Sequence, residues 1–325
     1  QTNKNDGKEV LIPDAKTNDF GVYGLSNFKV HAFTFQAGIR FDNRKIDSKL
    51  TGTIPALKKN YQGLTFSAGT VYTKENNKIR ANISNGFRAP NTSELLSDGV
   101  HEGTNRYEIG NPNLKNESAT QLDVSYDYQS EHFQFSVNPF YNYIKDYVYL
   151  TPTNQLIDNT PVYKYLQKDA FLYGGEMGIH YHPHPIDWLH FATTFATVFA
   201  EDTNKNPLPL IPQSKLNNSI SADFKSDKKI FVQKIFLQDI YKFKQPKIGQ
   251  FETESKAYNL VNLGMSVKIK AKSNPINIDL GVKNMFNTKY IDHLSRFKDL
   301  GIPNPGRNYY ISLKMNFVNK INAKK

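Results

Sequence analysis

The sequence predicts an all-β chain folded as a transmembrane antiparallel β-barrel, and three observations predict it. Apolar side chains recur at every second position rather than every 3.6. Most of the alternating runs are ~10 residues or longer, enough for a tilted strand to cross a bilayer and about twice an ordinary globular strand. The links between runs alternate between short and long, whereas a soluble sandwich has no reason to keep every long loop at one end.

In chain order, the first runs lie near residues 19–27 and 30–42. In the second, Phe33, Phe35, Ala37, Ile39 and Phe41 form an apolar face, and Thr34, Gln36, Gly38 and Arg40 a polar one. An unpaired polar group in hydrocarbon costs several kcal/mol, so Thr34, Gln36 and Arg40 are expected to face the lumen and Phe33, Phe35 and Ile39 the lipid. Near 62–74, Leu64, Phe66, Ala68 and Tyr72 oppose Thr65, Ser67 and Gly69. Runs near 77–88 and 116–130 follow.

Near 132–149, Phe133, Phe135, Val137, Tyr141 and Tyr143 oppose Gln134, Ser136, Asn138 and Asn142. Pro139 lies inside that run and cannot donate to a ladder, so a local bulge is expected there. Tyr141, Tyr143, Tyr147 and Tyr149 share the parity of Phe133 and Phe135 and are expected in an aromatic girdle at the headgroups.

The remaining runs lie near 164–182, 187–200, 214–226, 229–243, 256–271, 275–286 and 306–317, about thirteen in all. Leu189, Phe191, Phe195 and Phe199 make one apolar face, Val261, Leu263, Met265, Val267 and Ile269 another, and Ile276, Ile278, Leu280 and Val282 a third. Short links fall near Phe28-Lys29, Glu75-Asn76 and Ser130-Glu131, and near 183–186, 226–228 and 272–274. Long polar links fall near 43–61, 89–115, 150–163, 201–213, 244–255 and 287–305.

Composition narrows the function classes. No stretch approaches 18 consecutive apolar residues, so a helical membrane protein is excluded and a barrel is not. There is no cysteine, which removes disulfides, thiolate metal sites and Cys nucleophiles together. The 41 Lys+Arg against 30 Asp+Glu give a net charge of +11, but the basic residues are spread between and at the ends of the runs. That placement suits solvated loops beside lipid headgroups, and no nucleic-acid partner is read from it. GxSxG, HExxH and P-loop patterns are absent, so neither an enzyme nor a cofactor is predicted.

The links carry recognisable words. Gly86-Phe87-Arg88-Ala89-Pro90-Asn91, then Glu94-Leu95, then Gly110-Asn111-Pro112-Asn113-Leu114-Lys115 and Glu117, resembles the central barrel signature of TonB-dependent outer-membrane receptors. Val282-Lys283-Asn284-Met285-Phe286-Asn287 with Lys289-Tyr290, then Pro305-Gly306-Arg307-Asn308-Tyr309-Tyr310, resembles that family's C-terminal signature. The resemblance spans about residues 19–317 and rests on four words in the family's order. It implies a 22-stranded barrel plugged by an N-terminal domain, of which this chain carries about thirteen strands and no plug. It also implies import of a scarce nutrient, such as a ferric siderophore, haem or another metal chelate, with energy from the TonB complex. Bottom-up, Arg88, Pro90, Asn111, Pro112, Asn284, Gly306 and Arg307 are read as structural signature residues. Asn111-Pro112 biases toward a turn, and Pro305-Gly306 permits a positive-φ corner.

Candidate binding residues concentrate in the link 89–115, where His101, Glu102, Arg106, Tyr107 and Glu108 fall within eight residues. Long loops on rigid scaffolds are where binding groups sit. His101 and Tyr107 offer a nitrogen and a phenol oxygen to a metal, and Arg106 suits a carboxylate. His180, His182 and His184 stand at i, i+2 and i+4, but Pro183 and Pro185 interrupt them, so an interfacial turn is expected rather than a metal site. His293, in the last long link, is read as a solvated loop residue.

The expected organisation is an extracellular loop segment over 1–18, the C-terminal portion of a receptor barrel over 19–317, and a periplasmic tail over 318–325. A chain that begins outside and ends in the periplasm has an odd number of crossings, whereas bacterial single-chain barrels have an even number. The edges at 19–27 and 306–317 are therefore expected to pair with strands outside these residues. The expected partners are the TonB complex, the N-terminal plug and remaining barrel strands, a small chelate ligand and outer-membrane lipid. The competing readings are a passive pore and a surface-binding or structural barrel.

Overall fold

The computed structural model describes residues 1–4, 10–101, 106–270 and 275–315. It is nearly all β. The strands are β1 (Thr2–Asn3), β2 (Ala15–Val30), β3 (Phe33–Ser48), β4 (Leu57–Lys74), β5 (Asn77–Arg88), β6 (Asp98–His101), β7 (Arg106–Ile109) and β8 (Glu117–Gln129). They continue with β9 (Phe133–Ile157), β10 (Thr160–Tyr181), β11 (Leu189–Asp202), β12 (Lys215–Asp223), β13 (Ile230–Lys242), β14 (Tyr258–Ile269), β15 (Ile276–Lys283) and β16 (Asn308–Met315). One short helix, α1 (Thr92–Leu96), precedes β6.

Thirteen long strands form one antiparallel sheet in the order β2-β3-β4-β5-β8-β9-β10-β11-β12-β13-β14-β15-β16, with β1 at the edge of β2. The expected strands are all present; β2, β3, β4, β9 and β10 are longer than the alternation indicated, and β8, β12, β13, β14 and β15 are shorter. β2 begins at Ala15, inside the segment expected as a loop, and Thr2 and Asn3 pair with Lys16 and Ala15. The link expected over 150–163 is mostly strand, because β9 and β10 run on to a turn at Asp158 and Asn159, both with positive φ. The first short turn falls at His31-Ala32 rather than Phe28-Lys29. The link expected at 272–274, Phe317 and the tail over 318–325 lie outside the described residues. β2 and β16 do not pair with each other, so the sheet is open among the described residues.

Register keeps the two faces apart. Phe35 lies opposite Phe28 and Thr70, and Ile39 opposite Gly24 and Phe66, while Arg40 lies opposite Tyr23 and Thr65. Thr34, Gln36 and Arg40 therefore share a face with Asp42, Arg44 and Ile46. The apolar face carries large exposed side chains, among them Phe20, Ile39, Leu64 and Leu122.

The core does not lie between layers. It lies on the polar face at the long-link end, where Ile46, Ile54, Tyr61, Ala89, Leu95, Leu96, Leu114 and Val148 make one buried cluster. A smaller one joins Ala170, Ala200 and Leu208, with Tyr147 against it.

Two expectations about β9 change. No register shift occurs at Pro139: Phe140 lies opposite Asp123 and Val137 opposite Tyr126, the same register on both sides of the proline. The bulge sits further along, where Ala170 pairs with Ile144 but Lys168 pairs with Tyr147. Asp146 takes the extra position with φ 56°, its amide donating to Asp169 at 2.9 Å while the Tyr143 hydroxyl donates to the same carboxylate at 2.8 Å. One inserted residue reverses parity beyond it. Tyr141 and Tyr143 thus keep the face of Phe135, whereas Tyr147 and Tyr149 turn to the opposite face, out of the girdle expected for all four.

Candidate functional site

At the long-link end, the link 89–115 folds onto the polar face and is held there by a chain of paired groups. It starts at Arg88, whose parity on β5 aims it at that face. Its guanidinium forks onto Glu117 through two bonds of 2.6 Å and onto Glu94 at 2.8 and 2.9 Å. Glu117 also accepts the Val148 amide at 2.6 Å, so one ion cluster ties β5, β8, β9 and α1 together. Glu94 acts twice. Its carboxylate accepts the Asn91 amide at 2.9 Å while Asn91 Oδ1 accepts the Glu94 amide at 2.9 Å, a capping box that starts α1 after the fully buried Pro90. Leu95 and Leu96 then enter the apolar cluster.

The second signature word closes over the helix. Gly110 is required by contact: a Cβ there would stand 2.4 Å from the Leu96 nitrogen. Asn111 accepts the Asn113 amide at 3.0 Å, forming the turn its Asn-Pro pair predicts, and its own amide donates to the Glu94 carbonyl at 2.8 Å. The Tyr61 hydroxyl donates to the Leu114 carbonyl at 3.0 Å, and Gln167 exchanges two bonds of 2.8 Å with the Lys115 backbone.

Between the two words the link forms the β6–β7 ribbon, which the sequence did not signal. β7 adds in parallel to β10, with Tyr107, Glu108 and Ile109 opposite Val162, Tyr163 and Lys164. β11 covers β10 only from Ala170 onward, so β7 occupies the edge of β10 that β11 leaves open. Glu108 is 2% exposed and accepts from Arg106 at 2.7 Å and from the Tyr165 hydroxyl at 3.0 Å. Arg106 also lies over the Tyr163 ring at 5.4 Å. The Tyr107 hydroxyl donates to Asp98 at 2.8 Å, and burial together with Asp98 pushes it up to about 12. His101 sits opposite Arg106 in the ribbon, and Glu102 lies outside the described residues. In this arrangement Arg106 and Tyr107 are engaged with carboxylates of their own loop.

The last long link is organised in the same manner. Asn284 adopts φ 48° at the end of β15, accepts the Thr288 amide at 2.8 Å and donates to its carbonyl at 2.9 Å. The positive-φ corner expected at Gly306 lies instead at Asn284 and Asn287. At Gly306 a Cβ would stand 2.4 Å from Asn287 Oδ1, so a side chain there would push aside the oxygen that accepts the Arg307 amide at 2.9 Å.

His293 is not solvated: it is 3% exposed and packed against the link 244–255. Its Nδ1 meets Lys298 Nζ at 3.0 Å and Ser255 Oγ at 2.9 Å, so Nδ1 accepts and the proton resides on Nε2, 3.8 Å from Glu252. Burial, then Lys298, holds its pKa below the ordinary value. Burial pushes Asp292 up, but the Tyr258 hydroxyl at 2.7 Å and the Leu294 amide outweigh it and leave that carboxyl below the usual range.

On the polar face of β2, β3 and the end of β5, Asp19, Arg40, Asp42, Arg44 and Arg88 line a groove of about 390 Å³. Its cations are paired, Arg40 with Asp42 and Arg44 with Asp19, each at 2.6 Å.

The arrangement, with membrane-length strands, long links at one end and paired charges on the polar face, agrees with a match of residues 2–285 to the family model for the TonB-dependent receptor-like β-barrel. The chain belongs to that family. Family members are outer-membrane proteins, and no described helix here is long and apolar enough to cross a membrane.

Solved structures of similar fold include the copper transporter OprC, with a TM-score of 0.79 and 16% identity, the match covering 92% of this chain and 48% of that one. The FrpB iron transporter of Neisseria meningitidis (F3-3 variant) matches with a TM-score of 0.69 and 17% identity over 93% of this chain and 46% of its own. The ferric-catecholate import receptor Fiu of K12 E. coli matches with a TM-score of 0.62 and 17% identity, covering 92% and 45%. The chain spans about half the length of these structures.

Proposed function

We propose that this chain is the C-terminal barrel portion of an active-transport receptor that imports a small metal chelate, such as a ferric siderophore or a haem, with energy from the TonB complex. The observation that carries the proposal is the long-link end. Its two largest links are held in one shape by ion pairs and hydrogen bonds, as a preorganised entrance requires and a bare anchor does not. The titles of the similar structures, a copper transporter, an iron transporter and a ferric-catecholate import receptor, support the cargo class.

On this reading the long-link end is extracellular and the short-turn end periplasmic. Thr34, Gln36 and Arg40 line the lumen toward the plug, and the strands beside β2 and β16 come from outside these residues. His101 and Tyr107, on the inner ribbon, are the proposed cargo contacts, with Arg106 positioned through Glu108.

The test is growth of a deletion strain on defined iron, haem and copper sources, with and without TonB. The expected result is loss of use of one chelate, restored by the wild-type gene and not restored without TonB. Uptake that proceeds unchanged without TonB would favour a passive pore. In the same assay His101→Ala with Tyr107→Phe is expected to lower cargo affinity at an unchanged amount of folded barrel.

A further inference from the structure

The short-turn end carries a second concentration of chemistry. Of the eight histidines in the chain, five meet there: His132 in the β8–β9 turn, His180 and His182 at the end of β10, His184 in the β10–β11 turn and His190 at the start of β11. His184 leaves the i, i+2, i+4 series seen in the sequence. His190 takes its place, because Tyr181 pairs with Phe191 and the next step of that register brings His190 level with His182. His180 and His190 stack with ring centroids 5.3 Å apart, and His182 stands 5.8 and 5.5 Å from them. His132 then links His182 at 5.0 Å to His184 at 5.3 Å, so the five rings are continuous.

We propose that His180, His182 and His190 bind a divalent transition-metal ion of the zinc or copper type at the short-turn mouth of the barrel, through their imidazole nitrogens. One ligand nitrogen from each of the three lies within 4.8 Å of the others. His180 Nε2 and His190 Nδ1 are 3.2 Å apart, close to the ~3.3 Å separation of two nitrogens bound at 2.0–2.1 Å to one tetrahedral ion. A ligand imidazole ordinarily gives its other nitrogen to a carboxylate, which fixes the ring. His190 has this partner: its Nε2 lies 3.4 Å from Asp223 Oδ2, leaving Nδ1 for the cluster. His182 Nδ1 is buried without a hydrogen-bond partner, an expense that a polar cluster made only for packing does not require.

His132, His184 and Asp187 form an adjoining group of the same kind, also within 4.8 Å, placed to exchange an ion with the first. Three imidazoles with no fourth protein ligand among the described residues leave an open position, as suits a site that passes an ion on rather than one that staples a fold. Imidazole selects zinc, copper and nickel over calcium and magnesium.

The site rests on the transport reading only for its compartment. The test is zinc and copper binding by the full-length receptor, purified without a histidine tag and titrated by calorimetry against a competing chelator. The expected result is one tight ion per chain. Affinity should fall at least tenfold in the His180→Gln/His190→Gln double variant and about tenfold in Asp223→Asn, and should stay unchanged in His31→Gln, which removes an exposed histidine from another turn at the same end. Heat-dependent gel migration reports the folded barrel in each variant, and Asp223→Asn decides if the double variant does not assemble. No bound ion in the wild type, or equal binding in the folded variants, would overturn the site. Intact zinc binding in a strain that shows no chelate uptake would remove the transport reading and leave the site standing.

Discussion

The two ends of the sheet are both rich in polar side chains, and they use them in opposite ways. At the long-link end Arg88, Glu94 and Glu117, then Arg106, Glu108 and Tyr165, then Ser255, His293 and Lys298 are engaged with one another, so their bonding capacity goes into holding loops in one shape. At the short-turn end five histidine rings gather face and edge, with His180 Nε2 and His190 Nδ1 3.2 Å apart and His182 Nδ1 buried without a hydrogen-bond partner. Capacity to take a small cation therefore resides where imidazole nitrogens converge on one another, and preorganised shape resides where carboxylates and cations are spent on one another.

The largest test of that contrast removes the hub of the spent network. Arg88→Met leaves Glu94 and Glu117 facing each other without a cation. Because the Arg88 side chain keeps 41% exposure, the expected cost is about 2–3 kcal/mol, below the 3–5 kcal/mol of a fully buried pair. Limited proteolysis should then cut within 89–115 while the folded barrel persists; an uncut loop would show that the apolar cluster alone holds it.

Gly110→Ala drives a Cβ into the Leu96 backbone and is expected to cost ~1–3 kcal/mol, read as faster amide exchange across α1. Tyr165→Phe removes one donor from buried Glu108 and is expected to cost ~1 kcal/mol or somewhat more, confined to the β6–β7 ribbon. Exchange rates unchanged at Tyr107 and Glu108 would mean that the backbone pairing of β7 with β10 suffices.

The His293 site has a pH sign. Above about pH 6.5 the imidazole is neutral whether the loop is closed or open. Because the closed form has the lower pKa, the open form takes the proton first as pH falls, and the closed loop loses stability from about 6.5 down through its own lower pKa. Protection factors in the last long link, which divide out the intrinsic pH dependence of amide exchange, should fall from about pH 7.5 to about 5.5, and His293→Gln should flatten that dependence.

The smallest expected effect lies at the other end. His182→Gln in metal-free protein deletes a ring whose Nδ1 bonds to nothing, and should change stability by no more than about 0.5 kcal/mol. A loss as large as that of Arg88→Met would erase the distinction between the two ends.

Where sequence reading succeeded, the signal was local. The run expected near 77–88 is β5 to the residue, and the alternating Ile276, Ile278, Leu280 and Val282 all lie in β15. It failed where one residue reset the count. Pro139 is conspicuous but leaves the register intact, whereas Asp146 is inconspicuous and reverses the parity of Tyr147 and Tyr149 through a bulge that depends on Asp169 across the strand pair. Asp158 and Asn159 look like the middle of a polar loop, yet they are the turn of a hairpin that continues two strands. In the link 89–115 the helix α1 went unread although Asn91 and Glu94 stand at capping-box spacing, and nothing local in 98–109 announces a ribbon, because its partner edge on β10 lies more than fifty residues away.

By itself the sequence determined that this chain is a membrane-length antiparallel sheet with one wet and one greasy face and with all its long links at one end. Strand period and turn chemistry are properties of neighbouring residues, so they are written in the order of the residues. Only the tertiary structure decided which polar groups meet. It set Arg88 between two glutamates, sealed His293 beneath another loop and replaced His184 by His190 in the histidine cluster. Those meetings depend on register and on edges left open by strands of unequal length, and a residue's distance in sequence does not measure them.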